Sequence, residues 1–168
     1  MSTTIRKKQL IYISIAVLVI VGLFVVFMLA SSSQYQPVVA GQNIVVTVQA
    51  DTLEDMYGYQ FRINYNQDEL EYTETLTSKI QNISNIFSKQ KEEKEGYELV
   101  GATMVGEQSG ITGKNKALCE MVFTAKKDGM LSDFSCLLSD IKVIKIVESE
   151  LEDVDNIEGW QCKLSLQA

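Results

Sequence analysis

Three cysteines, an acidic run and a scatter of aromatic residues are the side chains here with reactive or binding potential, and histidine is absent from all 168 residues. Without histidine the chain lacks the commonest general base and the commonest zinc ligand. Cys119, Cys136 and Cys162 therefore have no imidazole to activate a thiolate, and none is a credible nucleophile. Three cysteines are also too few for the multi-bridge framework of a small secreted scaffold, although one disulfide, such as Cys136–Cys162, is left open. The run Glu148-Ser149-Glu150-Leu151-Glu152-Asp153-Val154-Asp155 has enough oxygens for a calcium ion, which takes roughly six to eight ligands. It lacks the glycine-centred loop of an EF-hand and reads as a solvated acidic loop. Nothing fixes two carboxylates at the separation that glycoside hydrolysis needs. These absences point to a binding protein rather than an enzyme, with no cofactor and no metal.

Binding chemistry has more to work with. In Tyr57–Tyr65, Tyr57, Tyr59, Phe61, Ile63 and Tyr65 alternate with Gly58, Gln60, Arg62 and Asn64. A strand projects successive side chains to opposite faces, so the aromatic set reads as core and the polar set as an exposed face. Met104 lies on the face opposite Tyr97, Leu99 and Val105. It suits an adaptable thioether anchor in an interface as well as it suits a core position. Glu107 is a contact residue or an ordinary surface carboxylate. Trp160 and the tyrosines have the flat rings that stack on sugars, but burial competes for most of them.

Strand patterns recur from Asn43 onward. Val-rich Asn43–Ala50, Tyr57–Tyr65, Leu70–Thr75, Tyr97–Val105, Ala117–Ala125, Phe134–Leu138, Ile141–Val147 and Trp160–Leu166 are bounded by glycine and polar clusters. In Ala117–Ala125, Cys119, Met121 and Phe123 share one face and read as core. Between Thr77 and Glu95, Ile80, Ile83, Ile86 and Phe87 recur at helical spacing ahead of the charge run Lys89–Glu95, which predicts a short helix or long solvated loop. Seven or more short strands argue for an all-β sandwich or jelly roll.

The N-terminal region is of another kind. Leu10–Ala30 carries no charge, and its 21 residues would make a helix about 31 Å long, against a hydrocarbon core of roughly 30 Å. It is expected to be a single transmembrane helix, with a cleaved signal peptide as the alternative. Arg6, Lys7 and Lys8 are the only charges before residue 51. They hold residues 1–9 in the cytoplasm and send the rest outside the cell. Residues 31–37 form a short linker, and 38–168 the extracytoplasmic domain. The chain beyond residue 50 holds 22 acidic and 12 basic residues, a net charge of −10. Such a surface disfavours nucleic acid and anionic lipid as partners.

The order of several motifs resembles the cohesin domain family. Val45-Val46-Thr47-Val48 is followed by Gly58-Tyr59-Gln60-Phe61 and by the turn Tyr65-Asn66-Gln67-Asp68-Glu69-Leu70. The second half has Gly110-Ile111-Thr112-Gly113, Val122-Phe123-Thr124-Ala125-Lys126, Asp128-Gly129 and Leu138-Ser139-Asp140. The resemblance spans residues 38 to 168. It implies a nine-stranded jelly-roll β-sandwich, related to some carbohydrate-binding modules, that binds a dockerin module on another protein. The partner-binding face is expected around Gln60, Arg62 and Asn64 of the exposed strand face together with Met104 and Glu107, which the resemblance adds. Cellulase-scaffolding cohesins carry an Asn-x-Asp pair where this sequence has Gly58 and Gln60, whereas Met104 and Glu107 match the apolar residue and glutamate near the glycine loop. A carbohydrate-binding module and a structural subunit of a surface complex are the competing functions.

Overall fold

Valine, isoleucine and aromatic residues at alternate positions need a pleated surface to pack against, and the chain provides one by pairing strands far apart in sequence. The computed structural model describes residues 36–81, 83–89, 96–104, 109–147, 150–155 and 158–167. The expected membrane helix 10–30, the tail 1–9, most of the linker 31–37 and the charge run 90–95 lie outside the described residues. Ten strands appear among the described residues. They are β1 Pro37–Val38, β2 Asn43–Tyr65, β3 Leu70–Ser78, β4 Ile83–Lys89, β5 Tyr97–Met104, β6 Ile111–Ala125, β7 Gly129–Met130, β8 Cys136–Val147, β9 Glu150–Asp155 and β10 Trp160–Leu166. All the pairings are antiparallel.

β2 organises the sandwich. Its first half pairs with β10 on one side and β6 on the other, with β3 beyond β6. Its second half pairs with β8 and β5, with β9 and β4 outermost. The strand changes layer near Asp55, whose φ of 50° sits in the left-handed region. There the register with β6 slips between Leu53 and Met56. A bulge of this kind bends a strand sharply and lets one segment serve two sheets.

The core lies between the two layers. Ile44, Val46 and Val48 of the first half of β2 face Tyr59, Phe61 and Ile63 of its second half, joined by Leu118, Met121 and Phe123 of β6, and all of these are buried. Tyr59 and Phe61 stack with ring centroids 5.8 Å apart, and Trp160 meets both edge-on. Phe123 packs against Tyr65 and Tyr72. The aromatic alternation of residues 57–65 is thus the core face expected from sequence.

Three expectations change. Of the helix or loop read over residues 77–95, the described part holds the end of β3 and the strand β4, Ile83–Lys89. A register shift between Ile83 and Asn85 in the β4–β5 pairing sets Ile83 opposite Met104 and Ile86 opposite Ala102, both inward positions. The extra residue makes two inward isoleucines fall three apart, which mimics helical spacing. Likewise the acidic run is not all loop: Glu150–Asp155 forms the edge strand β9 on β8. Charged residues suit an edge strand because they discourage further strand pairing. The predicted strand count of nine becomes ten, eight in the main sheet and two in a small sheet of residues 37–38 and 129–130.

Candidate functional site

The outward face of the layer β9–β8–β2–β5–β4 is where the described surface is most organised. Strand register sets its side chains in rows. One row runs Ile144, Gly58, Thr103. The next runs Lys142, Gln60, Gly101, Phe87. A third runs Ser139, Arg62, Leu99, and a fourth Leu137, Asn64, Tyr97.

Glycine makes the middle of this face flat. A Cβ on Gly101 would come within 2.5 Å of Phe87 Cζ, so the phenyl ring lies directly on the β5 backbone. A Cβ on Gly58 would meet the Ala102 carbonyl oxygen at 2.9 Å and Ile144 Cδ1 at 3.3 Å. Two apolar side chains thus cover bare backbone instead of standing up from it. Phe87 nonetheless keeps 54% of its surface exposed, and Leu137, at the far corner, keeps 69%.

The polar residues at the other end are held by specific partners. The register between β2 and β8 slips between Gln60 and Arg62, and Asp140 sits in that slip with φ 49°. This bulge brings Asp140 Oδ2 to 2.9 Å from Arg62 Nη1. The Arg62 guanidinium also lies over the Tyr97 ring, 4.9 Å from its centroid. Both partners of the ion pair are about half exposed, so solvent screening leaves it worth about 0–1 kcal/mol of stability. Its effect is on orientation. Asn64 Nδ2 donates to the Leu137 carbonyl oxygen at 3.1 Å and to Ser139 Oγ at 2.9 Å, which ties β2 to β8.

Of the residues expected on this face, Gln60, Arg62 and Asn64 stand together on β2, partly exposed. Met104 is not with them: it is 5% exposed, on the inward side of β5 beside Ile83. The sequence placed Met104 opposite Tyr97 and Leu99, as it is, but Tyr97 and Leu99 are the outward residues. Glu98 belongs to the same inward set as Met104. It is 2% exposed and accepts a hydrogen bond from the Tyr65 hydroxyl at 3.4 Å. Glu107 lies outside the described residues. Phe87, Gly101, Leu137, Ile144 and Asp140 were missed. The parity of Tyr97-Leu99-Gly101-Thr103, a set that includes a glycine, was the signal for part of this face.

The cysteines take no part in it. All three are free thiols; Cys119 and Cys136 are buried and Cys162 is partly so. Burial pushes each thiol up to about 12, which keeps it protonated and unreactive at neutral pH. Among the described residues no cluster of histidine, cysteine or carboxylate side chains is arranged to hold a metal ion.

The sequence profile of the cohesin domain family matches residues 36–141. Among solved structures, the fold is similar to a cohesin module from a Clostridium perfringens ATCC13124 family 33 glycoside hydrolase. The TM-score is 0.51 and the identity 16%, covering 80% of this chain and 97% of that one. At this identity the likeness is one of fold. No curated protein sequence matches the chain.

Proposed function

This chain belongs to the cohesin family, whose domains are noncatalytic and bind dockerin partners, and we propose from that premise that it is a docking module at the cell surface. Its β-sandwich takes a dockerin-bearing protein, noncovalently, on the outward face of β8–β2–β5–β4, and residues 10–30 anchor it in the membrane. The partner brought to the surface would serve polysaccharide degradation or adhesion.

The observation that carries this reading is the flat shelf of Phe87 on Gly101 beside the oriented Arg62–Asp140–Tyr97 group. Interfaces combine an apolar centre with polar groups held in register around it, and aromatic and arginine residues are enriched there. A sugar platform would need two or three coplanar exposed rings. Here Phe87 is exposed, whereas Tyr57, Tyr72, Tyr97 and Trp160 are all partly buried.

The test is a pull-down from the producing cells with the full chain in detergent, against a Gln60→Ala, Arg62→Ala, Phe87→Ala triple variant, with polysaccharide binding measured alongside. Recovery of a dockerin-containing protein by the wild type alone supports the reading. Retention on polysaccharide with no protein partner overturns it in favour of a carbohydrate-binding module.

A further inference from the structure

Docking on this face leaves the chemistry of the partner's contact segment unassigned, and the distribution of charge bears on it. The domain is strongly acidic, with 22 acidic against 12 basic residues after position 50. Along the central strands β8, β2 and β5 the charges in the rows of the face are Arg62 and Lys142, with Asp140 in the bulge beside them, while at the two edges Asp155 and Asp153 of β9 stand opposite Lys142 and Ile144 and Lys89 of β4 stands opposite Leu99. Between these charges, Gly58 is covered by Ile144, and Gln60 is an uncharged side chain, so the middle of the face is free of carboxylates.

We propose, resting on the docking function above, that the partner segment is both acidic and apolar: one large apolar side chain seats on the Phe87–Gly101 shelf and one carboxylate reaches the Arg62 guanidinium. Arg62 is suited to this. Its five N–H donors form a planar fork, and the Asp140 contact is made through Nη1, with Tyr97 supporting the guanidinium plane. A second carboxylate can join the same guanidinium, making a charge-assisted bond to a group already oriented.

The register also sets a distance. Phe87 and Arg62 are two strands apart and displaced by two residues along the sheet. At strand spacings of about 4.8 Å and a rise of about 3.4 Å per residue, their Cα atoms are about 12 Å apart. The partner's apolar residue and carboxylate must therefore be separated by about two helical turns, or by about four residues of extended chain.

The probe is a phage-displayed random-peptide library panned against the full chain in detergent. The enriched peptides should pair aspartate or glutamate with a large apolar residue. A synthetic enriched peptide should lose about tenfold in affinity to Arg62→Glu and to Phe87→Ala, as expected for loss of one charge-assisted contact or one apolar anchor. Replacing its acid by lysine should restore binding to Arg62→Glu, and thermal melts of both variants confirm that they fold. Enriched peptides rich in lysine and arginine that still depend on Phe87 would overturn the acidic assignment while leaving docking intact. Peptides whose affinity is the same for both variants would also overturn it. No enrichment at all would overturn this inference, while the docking function stands or falls by the pull-down.

Discussion

Which side of β5 is core decides which residues can meet a partner, and paired truncations test it. Met104 is 5% exposed and lies between the layers, whereas Phe87, on the neighbouring strand and facing outward, is 54% exposed. Truncating a buried methionine to alanine removes its transfer energy and leaves a cavity, a loss of about 2–4 kcal/mol. Phe87 buries roughly half of a ring whose full burial is worth about 1.5–3 kcal/mol, so Phe87→Ala should cost about 1 kcal/mol. For a domain of this size about 4 °C accompanies each kcal/mol, giving a midpoint lowered by about 8–16 °C for Met104→Ala and about 4 °C for Phe87→Ala. Trp160 is the only tryptophan of the chain, and it packs edge-on against Tyr59 and Phe61 in the core. Its fluorescence therefore reports unfolding in urea or heat without a label. Partner binding should respond in the opposite order, weakened by Phe87→Ala and unchanged by Met104→Ala at temperatures where that variant is folded. A Phe87→Ala variant destabilised as much as Met104→Ala would refute the assignment of faces.

Three other perturbations have defined outcomes. Gly58→Val should lose about 1–3 kcal/mol, because its Cβ would press on the Ala102 carbonyl oxygen, which is backbone and cannot swing aside; a chemical denaturation curve measures it. Arg62→Ala should change stability by less than about 1 kcal/mol, since its ion pair is half exposed and screened, yet it should weaken partner binding and reduce its salt dependence, as titration at two ionic strengths would show. The thiols predict an alkaline loss of stability. An unfolded thiol ionises near pH 9, whereas burial holds Cys119 up to about 12, so above pH 9 the unfolded chain releases a proton that the folded chain keeps. Stability then falls as pH rises through that window and is unaffected below it. Cys119→Ala should show a shallower decline between pH 9 and 12 than the wild type in parallel melts.

The strands that were legible in the sequence are those whose periodicity is uninterrupted. From Tyr59 to Tyr65 the strand alternates cleanly, with Tyr59, Phe61, Ile63 and Tyr65 in the core and Gln60, Arg62 and Asn64 outward, as the pattern dictates. Trp160–Leu166 has the same bounds in sequence and structure. Bulges are what defeated the rest. The extra residue in β4 shifts Ile86 into the inward set, so a strand carries the spacing of a helix turn. A bulge at Asp140 joins what read as two strands, Phe134–Leu138 and Ile141–Val147, into β8. The face itself was half legible. Gln60, Arg62 and Asn64 follow from parity within one strand. Phe87 and Ile144 owe their place to pairing with Gly101 and Gly58 across strands, and cross-strand register is set by tertiary structure. Met104 suited an interface anchor and a core position equally in sequence and was taken as a contact on the family resemblance; it is core, and Glu98, in the same inward set, is a buried carboxylate next to a tyrosine hydroxyl.

The most direct test of a docking face is to map it. Hydrogen exchange of the full chain, with and without the captured dockerin-bearing partner, resolves the two layers, since β8 and β5 flank the second half of β2 whereas β10 and β6 flank its first half. The account predicts slowed exchange concentrated in residues 58–64, 85–89, 97–103 and 137–144, with β3, β6 and β10 unchanged. Protection confined to β3, β6 and β10, or none anywhere, would contradict it.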